Sequence, residues 1–259
     1  MLKTCLTLLL LYVTAISLAQ DNGQYEKKEF IRHNDTLRYR ILYPENYNPA
    51  KKYPLILLLH GAGERGSDNE AQLLHGSGLF TDPANRKQYP AIVVFPQCPK
   101  NDFWARIDRD ANRKDSLNGL YFPSDRPIGK SLGLVSELLD SMAAHVNTKK
   151  IYVGGLSMGG MGTFEILWRK PRFFAAAFPI CGGGDPVKVR EYARKFPIWV
   201  FHGDKDNTVL PANSRLMVNA LKAARAKVKY TEYPGVGHNS WDNAFKEPEL
   251  LSWLFKQKK

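Results

Sequence analysis

The chain has 259 residues, 44% hydrophobic and 24% charged, the balance of a packed protein and not of a disordered one. Its formal net charge is +12 at pH 7, so its surface is basic enough to attract acidic polymers. The 37 Lys and Arg residues are scattered along the chain and no nucleic-acid motif accompanies them, so a solvated basic surface is expected and a nucleic-acid partner is not.

The N-terminus opens with Lys3, the apolar run Leu6 to Leu18 and the small-x-small triplet Ser17-Leu18-Ala19. This reads as a signal peptide over residues 1–19, with the mature chain starting at Gln20. The run is short for a spanning helix, which needs about 20 residues. No cysteine follows the cleavage site to carry a lipid, and no later segment has the length and apolarity to span a membrane. A secreted or periplasmic protein is expected, with residues 20–259 as a single catalytic domain. Cys5 leaves with the signal, and Cys98 and Cys181 remain. An oxidising compartment permits them to pair, whereas isolated cysteines are commonly free and buried. Both states stay open.

Glu29 to Ile31 and Leu37 to Tyr43, joined by a turn at Asn34-Asp35, read as an antiparallel hairpin at a sheet edge. Leu55 to Leu59, Ala91 to Phe95, Ile151 to Val153, Ala175 to Ile180 and Ile198 to Phe201 are short apolar runs without alternation. That pattern fits parallel strands covered on both faces. Val228 to Tyr233 reads as a last strand. Helices fall between: Leu132, Val135, Leu139 and Met142 form one apolar stripe, and Leu216, Ala220 and Ala223–Ala224 another. Met161 to Trp168 follows a strand directly, and Phe245 to Phe255 closes the chain. Alternating strands and helices imply a three-layer α/β domain with a mostly parallel sheet and an antiparallel N-terminal edge. The polar segment Pro96 to Pro127 fits neither period, and loops of that length are usually functional or disordered.

Gly155-Leu156-Ser157-Met158-Gly159 matches G-x-S-x-G between a strand and a helix. Such a turn pushes the serine into the open, and its glycines permit the tight approach. Ser157 is the candidate nucleophile. The N–H of Met158 then lies at a helix start, where free amides favour negative charge. His60-Gly61-Ala62-Gly63 follows another strand and offers a second oxyanion donor, Ala62 or the adjacent Gly63. A serine needs a neighbouring base. In the order Ser, acid, His, only His202 and His238 follow the nucleophile, and His238 follows the candidate acids as well. Asp206 is the preferred acid from its place past a strand end, with Asp204 as the competitor that reads better as a turn cap. His60 and His202 end strands just before glycine and read as loop braces. No histidine pair has tight zinc-like spacing, and no metal is expected. Trp104 and Trp241 are candidates to line the cleft and stack on substrate, or else to lie in the core.

His60 to Gly66, Gly155 to Gly160, His202 to Val209 and Gly237-His238 together resemble secreted bacterial esterases of the dienelactone hydrolase and feruloyl esterase-like group, within the α/β-hydrolase superfamily. Relatives in that group are also described as predicted peptidases or as phospholipase/carboxylesterases. The resemblance covers essentially the whole mature chain. It implies cofactor-free acyl transfer by Ser157, Asp206 and His238, with Ala62 and Met158 as oxyanion donors. Dienelactone hydrolases use a cysteine where this chain has Ser157, which argues against that reaction itself. No insertion long enough for a large lid follows Ala175 to Ile180, so an open cleft for bulky or polymeric esters is expected. The leading reading is a serine carboxylesterase acting on small-molecule or polysaccharide-linked esters, feruloyl or acetyl groups among them. A serine peptidase of the prolyl oligopeptidase-like type uses the same triad and is the alternative. A binding protein without turnover is the third reading.

Overall fold

The structure is a computed structural model that describes residues 22–109 and 120–259. The signal-peptide expectation on residues 1–19 and the middle of the polar segment lie outside the described residues. The N-terminal hairpin is present: β1 (Glu26–Arg32) pairs antiparallel with β2 (Asp35–Leu42), turning through His33 and Asn34 at φ 52° and 62°. Positive φ at both turn positions matches the twist that a two-residue hairpin requires.

The fully apolar runs form the buried strands. β3 (Leu55–Leu59) has every residue buried. Leu55, Leu57 and Leu59 belong to one core cluster, while Ile56 and Leu58 belong to another on the opposite face. A strand whose alternate side chains both leave water shows no polar alternation. After β3 come two short helices that the sequence pattern did not reveal, α1 (Ser77–Thr81) and α2 (Pro83–Gln88), then β4 (Ile92–Gln97). The polar segment that follows carries a small antiparallel ribbon, β5 (Asp108–Arg109) with β6 (Leu120–Tyr121). The remaining chain alternates α3 (Lys130–Ala143), β7 (Ile151–Leu156), α4 (Met158–Arg169), β8 (Ala176–Ile180), α5 (Val189–Tyr192), β9 (Ile198–Gly203), α6 (Pro211–Ala223) and β10 (Val228–Tyr233). The expected terminal helix over Phe245 to Phe255 is corrected to a shorter α8 (Leu250–Lys256), preceded by a separate single turn, α7 (Trp241–Ala244). Pro248 lies between them and has no N–H to carry a helical ladder.

The main sheet has eight strands in the order β1-β2-β4-β3-β7-β8-β9-β10, antiparallel at the β1-β2-β4 edge and parallel elsewhere. Residues of α3, α4 and α6 fill one core cluster, and residues of α1, α7 and α8 fill the other. Three layers result. Cys98 lies in the first cluster and Cys181 in the second, and both thiols are free and buried. Among the described residues no helix is long and apolar enough to cross a membrane.

Parallel topology also gathers charge. The connections leading into β3, β7, β8, β9 and β10 all enter from one end of the sheet. They carry Lys51 and Lys52, Lys149 and Lys150, Lys170 and Arg172, Arg194 and Lys195, and Arg225 and Lys227 respectively. Ten of the 37 Lys and Arg residues, drawn from five separate segments, thus lie in connections that enter one end of the sheet.

Backbone meets backbone where β7 turns into α4. A Cβ on Gly159 would sit 1.9 Å from the Leu59 carbonyl oxygen, and one on Gly155 would sit 2.4 Å from the Gly159 oxygen. Gly159→Ala is therefore expected to lose about 3 kcal/mol of stability by urea unfolding. Gly63→Ala, where nothing lies within 4 Å of the added carbon, should stay within about 0.5 kcal/mol of wild type.

Candidate active site

Ser157 occupies the turn between β7 and α4 with φ 52° and ψ −116°. A non-glycine residue in that region stores roughly 1–3 kcal/mol of strain. The turn is fixed by the Ser157 N–H, which donates to the Ile180 oxygen at 2.9 Å, and by the close glycine packing on either side. Its hydroxyl does not cap α4. Instead it donates to His238 Nε2 at 2.9 Å.

His238 lies on the loop after β10, one strand beyond the loop that carries Asp206. Its Nδ1–H donates to Asp206 Oδ2 at 2.7 Å. Asp206 is 1% exposed, and its other oxygen accepts the N–H groups of Thr208 at 2.8 Å and Val209 at 2.9 Å. A second imidazole reaches the same carboxylate. His202 Nε2 lies 3.1 Å from Asp206 Oδ2 and 2.8 Å from the Val209 oxygen. A carbonyl only accepts, so the His202 proton sits on Nε2 and is shared between the Val209 oxygen and Asp206 Oδ2. Ser214 Oγ holds His202 Nδ1 at 2.7 Å. Burial pushes the Asp206 carboxyl up, but hydrogen bonds from His202, His238, Val209 and Thr208 outweigh it and hold the group well below the ordinary carboxylate value.

Asp204 does not cap its own turn as expected. It accepts the Gly235 N–H at 2.7 Å and so ties down the loop that carries His238. Turn capping falls to Asp206 itself. Sequence reasoning assigned His202 only to bracing a loop, yet the His-x-x-x-Asp spacing was a signal, since both side chains flank one turn after β9.

On the other side of the serine, Ala62 to Glu64 form a single 3-10 turn after β3. The loop abuts the elbow, because a Cβ on Gly159 would also meet the His60 oxygen at 2.7 Å. The N–H groups of Ala62 and Met158 belong to first turns and have no intrahelical partner. His60 is a neutral brace: its Nδ1–H donates to the Gly61 oxygen at 2.6 Å and its Nε2 accepts from the Cys98 N–H at 2.9 Å. Burial pushes its pKa down to about 4.

The two tryptophans separate. Trp104 as a cleft-lining residue is corrected, because it is fully buried. Its Nε1–H donates to the His60 oxygen at 3.1 Å, and Gly162 lacks the Cβ that would lie 2.4 Å from the Trp104 Cβ. It supports the Ala62 loop from beneath. Trp241 is partly exposed and lies edgewise to His238, with ring centroids 5.2 Å apart and planes at 85°. His75, which no sequence signal marked, packs on Trp241 at 5.2 Å and approaches the buried Glu64 carboxylate at 3.7 Å.

Cys181, Asp206 and His238 offer three donor atoms within 4.8 Å of one another. The Asp206 and His238 lone pairs and protons are committed to each other and to their neighbours, and burial pushes the Cys181 thiol up, away from the thiolate that a metal needs.

The family model for phospholipase/carboxylesterase matches residues 46–249. The chain belongs to the phospholipase/carboxylesterase family. This carboxylesterase-family chain is 26% identical to carboxylesterase SOBER1 of Arabidopsis thaliana over 216 residues, covering 79% of the chain and 90% of that protein. It is 29% identical over 210 residues to an endo-1,4-beta-xylanase/feruloyl esterase of Xylanibacter ruminicola, covering 78% of the chain and 25% of that protein. A solved thermostable esterase superposes with a TM-score of 0.80 at 35% identity, over 92% of this chain and 64% of that one. A ferulic acid esterase superposes with a TM-score of 0.67 at 20% identity, over 89% of this chain and 98% of that one, and shows a shared fold. The fold is that of the α/β-hydrolases, and the protein is a hydrolase acting on esters.

Because the folded Asp206 carboxyl lies below its ordinary value, it adds stability above the unfolded pKa of about 3.9 and loses it as pH falls through the folded value. The stability gap between wild type and Asp206→Asn should be flat from neutral pH to about pH 5 and shrink below pH 4. Thermal unfolding of this esterase and its variant across that range is the measurement.

Proposed function

We propose that the protein is a secreted carboxylesterase in which Ser157 is the nucleophile, His238 the general base and Asp206 the acid that orients it. One observation carries this reading: a continuous hydrogen-bonded line from the Ser157 hydroxyl through His238 to Asp206, with links of 2.9 and 2.7 Å. His238 takes the hydroxyl proton as Ser157 Oγ attacks the ester carbon, and Asp206 stabilises the imidazolium that forms. The N–H groups of Ala62 and Met158 receive the charge on the carbonyl oxygen, each worth about 3 kcal/mol in the transition state. His238 then protonates the departing alcohol, and water attacks the acyl enzyme by the same route in reverse.

The substrates we assign are feruloyl or acetyl esters of plant polysaccharide. Support comes from the feruloyl esterase named among the relatives, from Trp241 beside His238 and from a hollow of about 290 Å³ with a mixed lining that includes Asp185 and Asn213. The hollow is bordered by Phe122, Gly184, Val187 and Leu216, close to where Gly182 packs on Gly160 of the elbow. The assignment to a secreted protein rests on the N-terminal signal pattern alone.

Hydrolysis of p-nitrophenyl acetate tests the chemistry. Ser157→Ala is expected to lower the rate by about 10⁶-fold, and an unchanged rate would overturn the reading. A peptide library run beside methyl ferulate and acetylated xylan separates ester from amide preference. Trp241→Ala should raise KM for methyl ferulate by about 2- to 10-fold, the worth of one aromatic stack. Its kcat on p-nitrophenyl acetate should change less.

A further inference from the structure

We propose that the end of the sheet opposite the catalytic loops is a docking surface for an acidic polysaccharide, a polymer with one carboxylate on each sugar ring. Ser157, Asp206, His238 and Ala62 all follow the C-terminal ends of parallel strands. The cation pairs described above precede the N-terminal ends of those strands and their neighbours. A strand of five or six residues separates the two ends by roughly 17–20 Å. A polymer held at the basic end therefore leaves the serine uncovered.

The order β3-β7-β8-β9-β10 sets these connections side by side, leading into strands about 4.8 Å apart. Successive carboxylates on a polyuronate chain repeat at one sugar ring, a spacing of the same order. Part of the charge has a structural task. Lys52 donates to the Ala144 oxygen, Arg194 to the Ala224 oxygen and Lys150 to the Phe255 oxygen, all at the C-terminal ends of helices. Cations there offset the negative pole of the helix. That task does not account for Lys149, Lys195 and Lys227. Each is exposed, and none has an ion pair or side-chain hydrogen bond among the described residues. Acidic residues are sparse at this end: Asp140 is engaged by Lys170 at 2.7 Å, and Glu191 and Glu45 are exposed.

The same face argues against two other anionic partners. Of the large apolar side chains exposed among the described residues, only Tyr47 lies in a connection at this end. A bilayer partner would be gripped better by apolar side chains able to insert. Single-stranded nucleic acid would call for a row of stacking aromatics. A hydrated polymer with regular charge needs neither.

The test uses the full chain and affinity electrophoresis in polygalacturonate, with fully methyl-esterified pectin, duplex DNA and phosphatidylserine vesicles as comparison partners. Wild type and Ser157→Ala should bind polygalacturonate equally, so the result stands apart from the esterase assignment. Binding should weaken by about tenfold or more between 50 and 200 mM salt. The triple variant Lys149→Glu, Lys195→Glu, Lys227→Glu should lose at least about tenfold in affinity, while p-nitrophenyl acetate hydrolysis persists. A control triple at other places on the surface, Arg32→Glu, Lys100→Glu, Lys246→Glu, should lose less than about threefold. If the Glu triple fails to fold, the same three positions as Gln should still weaken binding more than the control does. Equal loss in both triples, undiminished binding to methyl-esterified pectin, or tighter binding to DNA or vesicles would overturn the proposal.

Discussion

Between β3, β7 and the first turn of α4, main chain touches main chain with no side chain between. The Leu59 carbonyl occupies the place a Gly159 side chain would need, and the Gly159 carbonyl occupies the place a Gly155 side chain would need. This contact does more than seat a helix. It holds the Ser157 backbone in its strained conformation and brings the His60-Gly61-Ala62 loop beside the serine. Two segments distant in sequence, the loop after β3 and the first turn of α4, thereby lie against each other. Strain of this kind persists only where surrounding packing over-determines it, and the buried strands on either side provide that packing.

The second requirement is a charge that stays put. A carboxylate excluded from water costs several kcal/mol unless donors replace the solvent. Asp206 has four: two backbone amides on one oxygen and two imidazoles on the other. The amides fix the plane of the carboxylate and His202 fixes its far side. Only the direction toward His238 is left for chemistry. Asp204 adds a tether from the same turn to the His238 loop, so the short segment after β9 positions both Asp206 and His238.

Much of this was legible in the sequence, for physical reasons. Strands covered on both faces leave unbroken apolar runs, and β3 was delimited to the residue. The elbow announces itself because only glycine tolerates the approach it needs. The misses have causes as well. Phe245 to Phe255 has helical periodicity, but Pro248 interrupts the ladder. Helices α1 and α2 are too short to establish a period. Trp104 sits in a polar segment that suggests a surface loop, yet its ring passes under the Ala62 loop and leaves water entirely. The basic end was invisible because residues dozens of positions apart become neighbours only once the strands lie parallel.

Cys98 and Cys181 follow the ends of β4 and β8, which stand three strand steps of about 4.8 Å apart in the sheet, beyond the reach of a disulfide. The described fold thus contains no cross-link waiting to be made. A reducing medium therefore removes no covalent tie between these two residues, since both thiols are already free.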